Sequence, residues 1–271
     1  MAYSDDMRKP KISVIMGIYN CAATLQESLE SLYAQTCQDF EIILCDDGSD
    51  DETFAVAYKN QQSHPNIKLL KNPSNMGLNQ TLNNCLAVAH GEFIARMDGD
   101  DTCSPERFEK ELAVLESHPE YAIVSTEMSF FDENGIWGKS NAIEKPQPAD
   151  FIHRTCFCHA PCLVRRQAYD AVGGYSVNKR LLRVEDYHLW IKMYAKGYRG
   201  YNIKEQLYQM RDDRNATGRK KLKYRFNEAY VKHCAISLLN LPLWNYIYCM
   251  RPVLVGLIPS FLFNYLHKRS H

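Results

Sequence analysis

The segment Arg96-Met97-Asp98-Gly99-Asp100-Asp101 places three carboxylates within four residues, directly after the apolar run Phe93-Ile94-Ala95. Adjacent carboxylates repel one another, and a cation seated among them relieves that repulsion. Hard oxygen donors suit Mg²⁺ or Mn²⁺, ions that also bind phosphate oxygens. An acidic, solvated turn capping the following helix satisfies the same pattern. A second acidic run, Asp46-Asp47-Gly48-Ser49-Asp50-Asp51, shifts the balance toward a site, because it too follows an apolar stretch, Glu41-Ile42-Ile43-Leu44.

These carboxylates need a frame. Ile12–Met16 is short, β-branched and apolar, and reads as a buried strand. Residues 22–34 read as a helix, with Leu25, Leu29 and Leu32 at helical spacing. Strands are expected at 41–45, 67–70 and 93–97, and helices at 52–63 and 77–90, the last ending at Gly91. Such alternation implies an α/β fold with a doubly wound, largely parallel sheet. Ligands bind beyond the carboxyl ends of the strands in these sheets, which gathers Asp46, Asp47, Asp98 and Asp100 into one candidate site. The glycine fingerprint of dinucleotide binding is missing: Gly17-Ile18-Tyr19-Asn20 follows the first strand. A nicotinamide or flavin enzyme is therefore disfavoured. A helix over 105–118, a strand over 121–126, a loop over 132–150 and a helix over 185–197 complete the expected elements.

Composition bounds the rest. With 271 residues, 45% hydrophobic and 24% charged, the chain has the make-up of an ordinary globular protein. The polar N-terminus, Met1 to Lys11, lacks an apolar signal core, so a cytosolic protein with ten free thiols is expected. Net charge zero hides an asymmetry. From Arg214 to His271 there are ten Lys/Arg and one acid, Glu228, leaving 22 basic and 31 acidic residues in the remainder.

Taken in order, the pieces resemble family-two inverting glycosyltransferases of the GT-A fold. They are Ser13–Asn20, Asp46-Asp47-Gly48-Ser49, Asn75-Met76-Gly77-Leu78, Gly91–Asp101, Gly173-Gly174-Tyr175 and Glu185-Asp186. The resemblance covers about residues 10–215 and implies a Rossmann-like, mostly parallel sheet with flanking helices. It implies that Tyr19, Asn20, Asp47, Asn75 and Gly77 surround a nucleotide, with Asp47 accepting from the uracil ring. It places Asp98 near the ribose and Asp100 on a Mn²⁺ or Mg²⁺ ion that bridges the diphosphate. Arg211 is implied as a diphosphate contact, and Asp186 as the base that deprotonates the acceptor. Glu185 and His159 then border the acceptor. For Arg96, a pair with Asp98 and a nucleotide contact both remain open, as do a capping and a loop-holding role for Asp101.

The first strand carries Met16-Gly17 where many members have proline, a change that glycine's freedom tolerates. No histidine follows Arg211 as a metal ligand, and Gln-x-x-Arg-Trp is absent, which favours transfer of one sugar per acceptor. The cluster Cys156, Cys158, His159 and Cys162 has zinc-ligand types but spacing too cramped for zinc.

Residues 216–271 are expected to form a basic, aromatic, helical tail, set apart from a 1–215 catalytic domain. Its apolar run Val253 to Phe263 is too short to span a bilayer, so an interfacial anchor is expected, with a hairpin packed on protein as the competing arrangement. The implied partners are a nucleotide-sugar, a UDP-sugar foremost, a polyprenyl-diphosphate-linked glycan and the membrane surface; no nucleic acid is expected. This puts the protein peripherally on the cytoplasmic face of the inner membrane, in surface polysaccharide or O-antigen synthesis. A sugar-nucleotide nucleotidyltransferase and an inactive, tethered glycosyltransferase-like partner are the competing functions.

Overall fold

Alternate residues of Ile12–Ile18 (β1) and Phe40–Asp46 (β2) point to opposite faces of a sheet, and both faces are buried. Ile15, Ile43 and Cys45 enter one core, whereas Val14, Met16, Ile42 and Leu44 enter the other. This double burial explains why the strands read as continuous apolar runs. The computed structural model describes residues 9–212 and 222–257.

The remaining strands are Ile67–Lys71 (β3), Phe93–Arg96 (β4), Thr102–Cys103 (β5), Tyr121–Asp132 (β6), Gly135–Lys139 (β7), Leu163–Arg165 (β8) and Arg199–Arg211 (β9). Sheet order is β3-β2-β1-β4-β8-β6-β9-β5, with β7 paired to β6. The β3-β2-β1-β4 portion is wholly parallel. Antiparallel β8 joins it to the parallel β6–β9 pair.

Helices Leu25–Tyr33 (α1), Thr53–Ser63 (α2), Leu78–Val88 (α3), Arg107–Ser117 (α4) and Glu185–Ala195 (α6) fall where the periodicity places them, within a few residues. The short Arg166–Val172 helix (α5) precedes Gly173, whose φ of 67° ends it in the left-handed conformation.

Two glycine expectations are corrected. Helix α3 ends at Val88, ahead of Gly91. Gly91 is small because a Cβ there would lie 2.4 Å from the Ser13 backbone nitrogen. Gly17 makes no unusual turn; it continues β1, and a Cβ would press on Leu78 and Thr81 at 3.1 and 3.2 Å. Glycine there lets α3 approach the strand.

The expected 132–150 loop contains β7, which turns back on β6 through Gly135 (φ 99°), and a 3-10 turn over Pro148–Ile152. The expected strand at 121–126 continues to Asp132, and β9 was not expected at all. The polar run Lys204-Glu205-Gln206 interrupts the apolar alternation of β9, and its register against β6 shifts around Thr126–Met128.

Leu222–Leu238 (α7) and Ile247–Leu257 (α8) pack together as a hairpin. Val231 and Ala235 of α7 join the same core as Trp190 of α6. Lys232 Nζ donates to the Ile152 and His153 carbonyls. The first tail helix therefore packs on protein. The tail residues Arg214, Arg219, Lys220 and Lys221, and 258–263 of the apolar run, lie outside the described residues, as does the expected 215/216 boundary. No helix among the described residues is long and apolar enough to cross a membrane.

Candidate active site

Parallel register aligns the carboxyl ends of β1 and β2, with Ile18 opposite Asp46. Beyond these ends the backbone turns into the segments carrying Tyr19, Asn20 and Asp47. Asp47 is buried, and its carboxylate accepts from Asn72 Nδ2 (2.8 Å) and from the backbone N–H groups of Met76 (2.8 Å) and Gly77 (2.9 Å). Its visible work is to hold the Asn75–Gly77 loop. Gly48 (φ 73°) lets the two loops touch, since a Cβ would meet the Ser74 carbonyl carbon at 2.8 Å. The Asn20 side chain accepts from the Asp50 backbone N–H at 2.9 Å, which pins the second acidic run. Tyr19 stays at the rim, 45% exposed, and Asn75 is exposed.

The acidic loop after β4 divides its carboxylates among three tasks. Arg96 makes a bidentate pair with Asp98 at 2.6 and 2.9 Å. Burial works against the Arg96 charge, but neighbouring Asp98 more than restores it and raises the guanidinium above its ordinary range. Asp101 accepts from the Tyr208 hydroxyl (2.9 Å) and the Arg211 backbone N–H (2.8 Å). It holds the loop to β9 and caps no helix. Asp100 lines a cleft of about 370 Å³ with Tyr19, Asn20, Asp98 and Arg211. Burial, then the charge of Asp98, raises the Asp100 carboxyl above the usual range. A carboxylate oxygen is a donor that Mg²⁺ or Mn²⁺ accepts, but among the described residues no group of three or more His, Cys, Asp or Glu side chains is gathered to hold an ion. Arg211 sits beside it, donating from Nε to the Asp100 carbonyl (3.1 Å) and from Nη2 to Glu27 (2.8 Å).

A second cavity, about 400 Å³, adjoins the first through Asp98 and contains Arg96, His159, Glu185 and Asp186. The two acids open α6. Burial, and then Glu185, pushes Asp186 up to about 6. Glu185 Oε2 is buried and has no hydrogen-bond partner among the described residues. His159 Nε2 bonds the Tyr175 hydroxyl at 2.9 Å, and burial keeps the ring well below its ordinary pKa. The imidazole is thus a satisfied, neutral wall of the cavity and offers no cation to a phosphate. The nearby thiols of Cys156 and Cys162 donate to the Arg154 and Cys158 carbonyls, and all ten cysteines are free.

Residues 13–173 match the family described as Glycosyl transferase family 2. The chain belongs to that family. This glycosyltransferase is 42% identical over 262 residues to the putative glycosyltransferase EpsE of Bacillus subtilis, covering 96% of this chain and 94% of that one. It is 29% identical over 275 residues to the UDP-Gal:alpha-D-GlcNAc-diphosphoundecaprenol beta-1,3-galactosyltransferase of Escherichia coli, with 98% of each chain covered. The structure of S. aureus TarS 1-349 with UDP superposes with a TM-score of 0.67 at 19% identity, covering 90% of this chain and 69% of that one. The Pyrobaculum calidifontis mannosyltransferase PcManGT, solved with GDP-Man and Mn²⁺, gives 0.60 at 18% identity, covering 97% and 80%. At these identities the structures show the GT-A fold, and the family is inverting.

Three residues of this glycosyltransferase site escaped sequence reasoning. Asn72, buried, bridges Asp47 and Thr81 and accepts from Asn84. Its place after the third strand was a usable signal. Glu27 and Tyr208 reach Arg211 and Asp101 across gaps of 184 and 107 residues, and nothing local announces them.

Proposed function

We propose that this enzyme moves one sugar from a nucleotide-sugar, a UDP-sugar foremost, to a polyprenyl-diphosphate-linked glycan with inversion. One observation carries the reading: the cleft of Asp100 and the cavity of Asp186 meet at Asp98. A donor diphosphate beside Asp100 and Arg211 then points its anomeric carbon toward Asp186. The acceptor hydroxyl oxygen forms a bond to that carbon while the carbon–oxygen bond to the diphosphate breaks. The hydroxyl proton passes to Asp186, and the departing electron pair stays on the diphosphate. Glu185, with an oxygen unpartnered among the described residues, orients the acceptor. Arg96 fixes Asp98 for the ribose. Asp100 would hold the divalent ion, which supplies positive charge to the leaving group.

Calorimetric titration with UDP, GDP and TDP, each with Mn²⁺ and with chelator, tests the donor half. One nucleotide is expected to bind in a metal-dependent manner, and Asp100→Ala is expected to weaken it at least tenfold. Absence of binding by all three would remove the donor site and return the inactive-partner reading to the front.

The acceptor and location rest on the relatives' lipid-linked chemistry and on the hairpin surface. Leu243, Trp244, Ile247, Met250 and Leu254 are all more than half exposed on α8 and the turn before it. Aromatic and aliphatic side chains beside basic residues suit an anionic membrane surface at the cytoplasmic face. The protein is expected to co-sediment with anionic vesicles, and Trp244→Ser together with Ile247→Ser is expected to lower the bound fraction several-fold. Equal sedimentation of the double variant would remove the hairpin from membrane attachment.

A further inference from the structure

Behind Asp186 lies a third cavity, about 720 Å³, which the reaction above leaves unused. It is continuous with the reaction cavity, sharing Arg154, Thr155, Arg183, Asp186 and Met210 with it, and extends to Tyr224 and Arg225 of α7. Its wall carries three arginines, Arg154, Arg183 and Arg225. Arg225 is neutralised by Glu228 at 3.0 Å. Among the described residues no carboxylate pairs with Arg154 or Arg183. Arg154 spends one nitrogen on the Asn141 carbonyl (3.0 Å), and the Arg183 guanidinium lies over the Tyr224 ring at 5.8 Å. Arg183 also adopts φ 72°, a strained backbone for a side-chain-bearing residue, three positions before Asp186. His153, on the same wall, packs edge-on against Tyr248 of the exposed apolar hairpin at 4.9 Å.

We infer that this cavity binds the diphosphate of the lipid-linked acceptor, with Arg154 and Arg183 as its recognition residues. The inference rests on the glycosyltransferase reading above and adds where the acceptor's anionic group sits. Two guanidinium forks without carboxylate partners suit paired phosphates. The cavity opens between the acceptor-side carboxylate and the hairpin. A diphosphate held there leaves the sugar to reach Asp186 and the lipid to leave along α7 and α8. Arg225 is set apart from the role by Glu228.

Binding of farnesyl diphosphate and of inorganic pyrophosphate is measured by titration, with UDP and Mn²⁺ saturating so that the donor cleft is filled. Wild-type protein is expected to bind both probes, farnesyl diphosphate more tightly. Arg154→Gln and Arg183→Gln are each expected to weaken both by about tenfold, the loss of roughly one charge-assisted hydrogen bond, with UDP affinity unchanged. Tighter farnesyl binding assigns the site to a lipid diphosphate; farnesyl and inorganic probes of equal strength overturn that source. Probe binding that both variants retain, or that UDP abolishes, overturns the site itself. Failure of UDP to bind strikes the glycosyltransferase reading instead, so the two failures are separable.

Discussion

Asp186→Asn is expected to lower sugar transfer by about 10²–10⁴-fold, the usual contribution of a positioned general base, while nucleotide binding stays unchanged. The same variant is expected to be more stable than the parent at pH 8. Burial and Glu185 raise Asp186 from its ordinary value of 3.8 to about 6, so the folded protein holds this proton more tightly than the unfolded chain. For such a group the favourable contribution is present below pH 4 and is lost as pH rises through 6. At pH 8 the native state carries an unfavourable buried charge that asparagine lacks. The gain should be about 1 kcal/mol at pH 8, because Asp186 is only half-buried, and should vanish near pH 4. Transfer by the parent should fall with unit slope below pH 6, where the base is protonated. Paired denaturant melts and pH–rate profiles check all three. The opposite sign in the melts would identify Asp186 as a helix-start acid, because removing such a charge from the first turn of α6 destabilises by about 0.3–1 kcal/mol.

Arg107→Ala is expected to destabilise the fold by about 3–5 kcal/mol, the range for breaking a buried ion pair. Arg107 is fully buried under the acidic loop, with Nε 3.3 Å from Glu111. Its Nη2 donates to the carbonyls of Arg96 (3.1 Å), Ala160 (3.3 Å) and Cys162 (3.4 Å). Truncation leaves these carbonyls unpaired and opens a cavity beside Met97. Burial pushes Glu111 up to about 8 against the pull of Arg107, and losing the guanidinium removes that pull and keeps the carboxyl neutral. Arg107→Met, which keeps much of the volume, should recover part of the loss. Urea denaturation of the two variants measures the difference; a change below 1 kcal/mol in Arg107→Ala would show that Arg107 contributes nothing net. The site should suffer with the fold, because the Arg96 and Cys162 carbonyls belong to the paired β4 and β8 region that presents Asp98.

The carboxylates and the frame that holds them were legible in the chain. Strands β1, β2 and β4 are buried on both faces, so their apolar runs stand out against polar turns, while β3 at the sheet edge is only partly buried. Helices α1 and α3 each bury one leucine-bearing face, so their period shows. Loops at strand ends must carry the polar chemistry, which is why Asp47, Asp98 and Asp100 could be located from order alone. Asp186 enters as the proposed base only through resemblance, because an acid at a helix start has a structural explanation as good as a catalytic one.

Tertiary structure decided what each charge does. Arg96 faces Asp98 two residues on within the same segment, whereas Asp101 faces Tyr208 and β9 and Asp47 is engaged by the Asn75–Gly77 loop, partners that only packing of distant segments supplies. Strand β9 was hidden because a strand with a solvated middle lacks the alternation that reveals it, yet it brings Tyr208 and Arg211 back to the acidic loop. The tail shows the same division. Its basic and aromatic composition was plain in the sequence. That α7 seals the core with Val231 and Ala235, while α8 turns its apolar side outward, depends on which surfaces the rest of the fold leaves uncovered. Residue type fixes the chemistry a side chain offers; its partners come from distant segments, and only the folded chain brings them within reach.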